Sequence, residues 1–353
     1  MAEKKHVVAP LPPALRPGSV DTRYQRQLSI LGDLAEVTEV QATTPEALIE
    51  GARHADALMT TWGVRITAEI MAELTRCTVI GLASVGVDMV DVEAATEHGI
   101  VVTNAPDAFI EEVADHTMLL LLAAWRRWRH IDRLSREVDT WFESRPLLNN
   151  YPPLRGQTLG LVAFGNVATQ VARRAKAFGL NVIAFDPYVS SLRMIDEDVE
   201  PMLTLDDLLE RADFVSMHTG LNDETHHLIG PTELDRMKDT AILINTSRGG
   251  TVDGAALAKA IASGSIAGAA LDVLEQEPPD PDDPLLHLDD VLITSHAASA
   301  SSMMRAASEV RAAREIALVL RGRWPMACVN PTVLPKLPLE RWQPVSMDRG
   351  PNR

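Results

Sequence analysis

Cysteine, cationic residues and long apolar runs are all scarce in this 353-residue chain. Its two cysteines, Cys77 and Cys328, cannot build a disulfide framework, and neither has the neighbours of a metal cluster. No metal is expected, and Cys77, which opens the apolar run CTVIGLA, is expected in the core. Lys and Arg number 33 against 49 Asp and Glu, a formal charge of -16. Such a field repels phosphate backbones and anionic lipid, which argues against nucleic acid or a membrane surface as partner. An anionic substrate would need a local cation against that field. The strongest apolar stretch, MLLLLAAW at 118–125, is far too short to cross a bilayer. No apolar segment of signal-peptide length follows MAEKK, so the expectation is a soluble, cytoplasmic protein.

What is present is enough for a folded chain. Hydrophobic residues make up 46% of it and the mean hydropathy is -0.01, which excludes a disordered polymer. The length suggests two domains. Short β-branched runs alternate with helical patterns, the signature of parallel α/β sheets. A first series has strand-like runs at 5–10, 35–40, 56–61, 77–83 and 100–105. Between them, Thr44 and Thr67 stand as N-caps, with Pro45 at a first helical position. A long helical pattern over 109–137 is apolar on most sides in its middle, which buries it between domains or at a subunit contact. The Pro- and Asn-rich stretch 143–156 reads as a loop. A second series has six runs, at 158–164, 181–186, 213–218, 241–247, 266–273 and 291–296, and suits a doubly wound dinucleotide-binding domain. A last helical pattern, about 299–321, is expected to return to the first domain. The predicted fold class is α/β with two doubly wound parallel-sheet domains. One is a flavodoxin-like substrate domain of residues 1–125 plus 299–353; the other is a Rossmann NAD-binding domain of residues 126–298.

The segment GLVAFGNVATQVARRAKAFG carries a reduced dinucleotide fingerprint. Ala163, Gly165 and Ala168 occupy the three glycine positions. Gly165 holds the middle one, where the backbone must come nearest the pyrophosphate. Alanine at the third is tolerated by helix–strand packing, whereas alanine at the first departs from a tight turn. The helix that follows offers free N–H groups and a dipole to phosphate. Asp186 ends the next strand, 21 residues after Gly165 (186 − 165), and can accept hydrogen bonds from the adenosine ribose while repelling a 2′-phosphate. That favours NAD over NADP. On the glycine pattern alone, an ordinary βα turn explains the segment equally well; strand, helix and Asp186 together tip the balance.

Three further groups stand at strand ends: Arg248 in NTSRGG, Glu277 in LDVLEQEPP and His296 in ITSHAA. Interconverting a 2-hydroxy and a 2-keto acid needs a cation for the carboxylate, an acid/base for the hydroxyl proton, and a carboxylate that tunes it. Arg248, His296 and Glu277 supply these in turn, with Glu277 raising the imidazole pKa. Each alone has an ordinary explanation: a surface salt bridge for Arg248, a solvated loop for Glu277, a capping role for His296. Asp272 joins them either as a turn residue or as acceptor for the nicotinamide carboxamide. In the first domain, the N–H groups of Val85 and Gly86 in ASVGVD can bind a substrate carboxylate, or form a plain turn. Trp62 lines the substrate pocket or fills the core.

These pieces together resemble the D-isomer-specific 2-hydroxyacid dehydrogenase family over about residues 55–330. The resemblance rests on SVGVD, EEVADHTMLLLL, the reduced fingerprint, VIAFDPY, NTSRGG, ALDVLEQEP and TSHAA. The stretches HTGLNDETHHLI and GGTVDGAALAKAI and the CVNP near the end resemble the C-terminal-binding-protein branch, which includes NAD(H)-binding corepressors. The family implies catalytic Arg248, Glu277 and His296. It implies NAD contacts at Thr117, Gly165, Asn166, Val167, Asp186, His218, Thr219, Thr246 and Asp272. It also implies a homodimer built through the cofactor domain and substrate held between the domains. Ser299 departs from the corepressor branch, which has tryptophan there. The lack of an appended regulatory domain after 330 argues against a long-form phosphoglycerate dehydrogenase. The expected activity is NAD-dependent reduction of a 2-keto acid or oxidation of a D-2-hydroxy acid, with His296 as acid/base. The alternative is an NADH-sensing interaction protein with incidental catalysis.

Overall fold

The structure is a computed structural model that describes residues 3–11, 18–60, 63–149 and 151–341. The chain divides into two compact units. One takes the described residues of Met1–Ala108 and Ser301–Arg353, the other Phe109–Ala300.

The first unit is built on five parallel strands: β1 (Lys5–Leu11), β2 (Ala35–Gln41), β3 (Ala57–Thr60), β4 (Val79–Leu82) and β5 (Val101–Thr103). Their order, β2-β1-β3-β4-β5, is the flavodoxin-like doubly wound one. Every residue of β3, β4 and β5 is buried, so these strands read as unbroken apolar runs rather than alternating ones. Thr44 caps helix Pro45–Ala52, its hydroxyl accepting the Ala47 N–H. Thr67 caps its helix without such a bond. Helix Ser302–Leu320 packs on this sheet, with Ile316 against β4. A Cβ on Gly81 would lie 2.6 Å from Ile316 Cγ1, so the glycine admits the helix.

The second unit has seven parallel strands: β6 (Thr158–Val162), β7 (Asn181–Phe185), β8 (Glu200–Pro201), β9 (Phe214–Met217), β10 (Ile242–Asn245), β11 (Gly268–Leu271) and β12 (Val291–Ile293). The order is β12-β11-β10-β9-β6-β7-β8. Strand order reverses between β6 and β9, and the crevice beyond the carboxyl ends of such strands is where doubly wound sheets bind ligands. Strand β8 is one more than the six runs in the sequence; it is two residues long, ends in proline and has no apolar run to announce it.

Two expectations are corrected here. The helical pattern over 109–137 forms two helices, Ile110–Trp125 and Trp128–Ser135. Arg127 between them takes a left-handed φ of 49°, and its guanidinium reaches Asp290 at 2.7 Å. The boundary between units falls at Ala108/Phe109 and Ala300/Ser301 rather than at 125/126 and 298/299. Packing explains the shift at the first: Ala114, Met118, Leu121 and Trp125 share one core with Leu161, Phe164, Val171 and Ile244 of the seven-stranded unit. Burying four such side chains contributes about 1.5–3 kcal/mol for each large one, so the helix stays with that sheet. Leu208, Leu234 and Leu257, from helices on the opposite face, fill the second core of this unit.

Candidate active site

The buried strands β10 and β11 and the partly buried β12 each end where apolar sequence gives way to polar. Arg248, Glu277 and His296 follow those ends, and all three lie in the second unit. Asn245, buried at the end of β10, organises the first loop. Its Nδ2 donates to the Arg248 carbonyl at 2.9 Å, and its Oδ1 accepts the Ser247 N–H at 3.0 Å. Thr251 Oγ1 donates to the same carbonyl at 2.7 Å. Arg248 is left in extended backbone, one guanidinium nitrogen bonded to the Ser247 carbonyl. A Cβ on Gly249 would sit 2.0 Å from the carbonyl carbon and oxygen of Leu274. Only glycine lets the Arg248 loop lie against the segment that leads to Glu277.

Glu277 Oε2 and His296 Nδ1 are 2.7 Å apart. Glu277 is aimed by the Leu274 N–H, which donates to its Oε1 at 3.1 Å. His296 has a left-handed φ of 51°, and its N–H bonds the Asp272 carbonyl at 2.7 Å. The Glu277 hydrogen bond raises the His296 pKa above its ordinary 6.5, against the opposing effects of partial burial and the nearby Arg248 charge. For Glu277, burial works against ionisation, but the His296 and Leu274 hydrogen bonds outweigh it and hold the carboxyl below its usual range. The pair therefore favours imidazolium beside carboxylate.

Asp272 is engaged otherwise than as an acceptor reserved for a ligand. It is 1% exposed, and it accepts from the Thr294 hydroxyl at 2.5 Å and the Ala297 and Ala298 N–H groups at 2.8 and 2.9 Å. His116 Nε2 lies 3.0 Å from the same Thr294 hydroxyl. These bonds brace the turn that carries His296. Sequence reasoning did not reach Asn245, Gly249, His116 or Thr294; the double glycine after Arg248 was the one usable sign of a close backbone approach.

The turn after β6 fits a dinucleotide by its own geometry. Ala163 keeps the left-handed conformation of the glycine it replaces, with φ 73°, at a cost of about 1–2 kcal/mol. A Cβ on Gly165 would meet nothing within 4 Å, so the space before the turn is open. Thr169 is the first residue to bond back to Gly165, which leaves the N–H groups of Asn166, Val167 and Ala168 outside the ladder of helix Asn166–Ala177. Asp186 accepts the Phe164 N–H on Oδ2 and the Tyr188 and Val189 N–H groups on Oδ1. Three donors on a carboxylate with about four acceptor positions leave room for a hydroxyl. The Thr219 hydroxyl is buried with no partner among the described residues, an orphan that a bound molecule can satisfy. His218 bonds Ser216 at 3.0 Å, and desolvation pushes it down to about 4, so it is neutral at pH 7. Thr117 and Thr246, 129 residues apart, meet through their hydroxyls at 2.8 Å.

The remaining candidates belong to the first unit. Val85 and Gly86 form the turn after β4, where their carbonyls accept from Asn104 and Ser84 at 2.7 and 2.8 Å. Trp62 lies outside the described residues. No helix among the described residues is long and apolar enough to cross a membrane.

Residues 118–298 match the family model of the NAD binding domain of D-isomer specific 2-hydroxyacid dehydrogenases. The chain is 39% identical over 321 residues to a D-3-phosphoglycerate dehydrogenase of Methanocaldococcus jannaschii, covering 91% of this chain and 60% of that protein. It is 42% identical over 292 residues to a glyoxylate reductase of Korarchaeum cryptofilum, covering 82% of this chain and 87% of that one. A solved structure of a Thermus thermophilus protein is 38% identical with a TM-score of 0.76, covering 92% and 99% of the two chains. Neither named relative places the chain on the corepressor branch. With the family model spanning half the sequence and a relative of this identity spanning four-fifths of it, the chain belongs to the D-isomer-specific 2-hydroxyacid dehydrogenase family.

Proposed function

We propose that this chain is an NAD-dependent oxidoreductase that interconverts a 2-keto acid and the D-2-hydroxy acid. The observation that carries the reading is the 2.7 Å pairing of His296 Nδ1 with Glu277 Oε2, next to a cationic Arg248. With Nδ1 bound to Glu277, His296 Nε2 is the nitrogen left to exchange a proton with the substrate oxygen. In reduction the imidazolium donates that proton as the carbonyl oxygen gains charge, and Glu277 stabilises the charged ring until it does. In oxidation the neutral ring takes the hydroxyl proton. Arg248 binds the substrate carboxylate, supplying a local cation against the net charge of -16. The Val85 and Gly86 N–H groups, in the first unit, are read as a carboxylate-binding turn of their own.

Bound NAD supplies the hydride acceptor or donor. Gly165, Asn166 and Val167 would hold its pyrophosphate and Asp186 its adenosine ribose; Thr117, His218, Thr219 and Thr246 would line the rest, with Asp272 acting through the turn it braces. The Asp186 charge disfavours a 2′-phosphate, which supports NAD over NADP. A homodimer through the second unit is supported by exposed Leu119, Trp128, Trp141 and Phe142 along 119–142, more apolar surface than a solvated face needs. Two free cysteines accord with a cytoplasmic location.

The test is NADH-dependent reduction of glyoxylate, hydroxypyruvate and larger 2-keto acids by the purified chain beside Arg248→Ala. The variant is expected to lose about a hundredfold or more in kcat/KM while NADH binding is unchanged. An Arg248→Ala chain with full activity would remove the carboxylate role from the mechanism.

A further inference from the structure

We propose that His226, His227 and Glu275 form a binding site for one divalent transition-metal ion of the zinc class, beside the loops that carry Arg248 and Glu277. Their ligand atoms all lie within 4.8 Å of one another, and they are the only such group among the described residues. The two imidazoles stack, with centroids 4.0 Å apart and planes 24° from parallel. Neighbouring side chains on extended backbone point to opposite sides. Here His227 has a φ of 50°, and this left-handed residue turns its ring back over that of His226. Backbone strain of this kind is retained where surrounding bonds enforce it. The enforcing bonds are present: the His227 N–H donates to the Gly250 carbonyl at 2.8 Å, and the His226 N–H to the Asn222 carbonyl at 2.9 Å.

Glu275 arrives from 48 residues away and is held ready. Its Oε1 accepts the Gly254 N–H at 2.7 Å, and its Oε2 lies 2.8 Å from His227 Nε2. Two imidazoles and a carboxylate are a donor set that suits zinc, cobalt or nickel and leaves a fourth position for water. Magnesium and calcium prefer all-oxygen shells and are disfavoured. Tetrahedral bonds of about 2.0–2.1 Å put ligand atoms roughly 3.3 Å apart. From a spread of at most 4.8 Å the ligand atoms must close by up to about 1.5 Å, while the 2.8 Å His227–Glu275 pair opens, adjustments that side-chain rotation achieves because all three residues reach solvent. The net charge of -16 favours approach of a cation.

The site joins loops that matter elsewhere. Gly249 packs on the Leu274–Glu275 backbone and Gly250 is bonded by His227, so an ion here ties the Arg248 loop to the segment before Glu277. The expectation of no metal drew on cysteine spacing; paired histidines become a donor set only when the fold adds Glu275. Binding of the ion does not depend on the proposed reaction.

Untagged, chelator-treated full-length chain is titrated with Co2+ while the visible absorption bands of tetrahedral cobalt are followed, and with Zn2+ by calorimetry. One ion per chain is expected, with cobalt bands that Zn2+ abolishes. Glu275→Gln and His226→Gln should each weaken binding at least tenfold with unchanged thermal unfolding of the metal-free chains. Absence of saturable binding overturns the proposal, as does an affinity in either variant equal to that of the unmodified chain.

Discussion

Replacing Glu277 by Gln isolates the part of the mechanism that the geometry defines best. Glutamine keeps the length of the side chain and an acceptor for the Leu274 N–H, but removes the charge facing His296 Nδ1 at 2.7 Å. A hydrogen bond to a charged group contributes about 1.5–3 kcal/mol. Both side chains are more than a third exposed, at 45% and 37%, so screening moves the expected loss to the lower end, about 1.5 kcal/mol. Each 1.36 kcal/mol is tenfold in rate, which predicts a loss of roughly tenfold in kcat for 2-keto acid reduction at neutral pH. The pH dependence gives a second reading. Reduction needs the imidazolium, and the folded pKa of His296 is raised, so activity holds at low pH and falls as pH rises through that pKa. Without the carboxylate the falling limb moves to lower pH. Oxidation needs the neutral ring, so its rising limb moves the same way. Steady-state kinetics across pH, in both directions, check this. A variant whose limbs stay in place and whose rate at neutral pH is unchanged would refute the pairing as the source of the His296 protonation state.

Gly249→Ala puts a methyl group 2.0 Å from the Leu274 carbonyl. It is expected to cost about 1–3 kcal/mol in urea unfolding and to lower kcat far more than NADH affinity, because the Arg248 loop must move. Ala163→Gly relieves a left-handed alanine at φ 73°. Set against the greater chain entropy of glycine, it should stabilise by about 0.5–1 kcal/mol, measured in the same assay. Asp186→Asn keeps one oxygen to accept the Tyr188 and Val189 N–H groups, puts an amide donor where the carboxylate accepted the Phe164 N–H, and removes the charge. It should weaken NADH by about tenfold and narrow the gap to NADPH, read from the two KM values.

The sheets were legible because their strands are buried on both faces, so β3, β4, β5, β9, β10 and β11 stand out as apolar runs between polar helices. Strand β8 was not, because two edge residues bury too little to leave a pattern. Nor was the helix break at Arg127, where no glycine or proline intervenes and the residue takes a left-handed φ of 49° while its side chain reaches Asp290. The unit boundary was misplaced for a related reason: an apolar helix says that it is buried, not in which core. Within the site, Arg248, Glu277 and His296 could be singled out by their place after strands. What sequence could not supply was the second set of contacts. Asp272 is aimed by residues 294, 297 and 298, and Asn245 holds Arg248 by its carbonyl rather than its side chain. At Ala163 the sequence shows a lost glycine, whereas the backbone retains the conformation that glycine would have taken.

The central claim is that His296 moves the proton in a reaction on a 2-keto acid. It is tested most directly by NADH oxidation with a panel of 2-keto acids, run for the unmodified chain and His296→Gln, with NADH binding followed by fluorescence. The account predicts turnover on at least one acid, a loss of about 10²- to 10⁴-fold in the variant, and equal NADH binding in both. NADH bound by the unmodified chain without turnover on any acid, or a variant that keeps its rate, would contradict it.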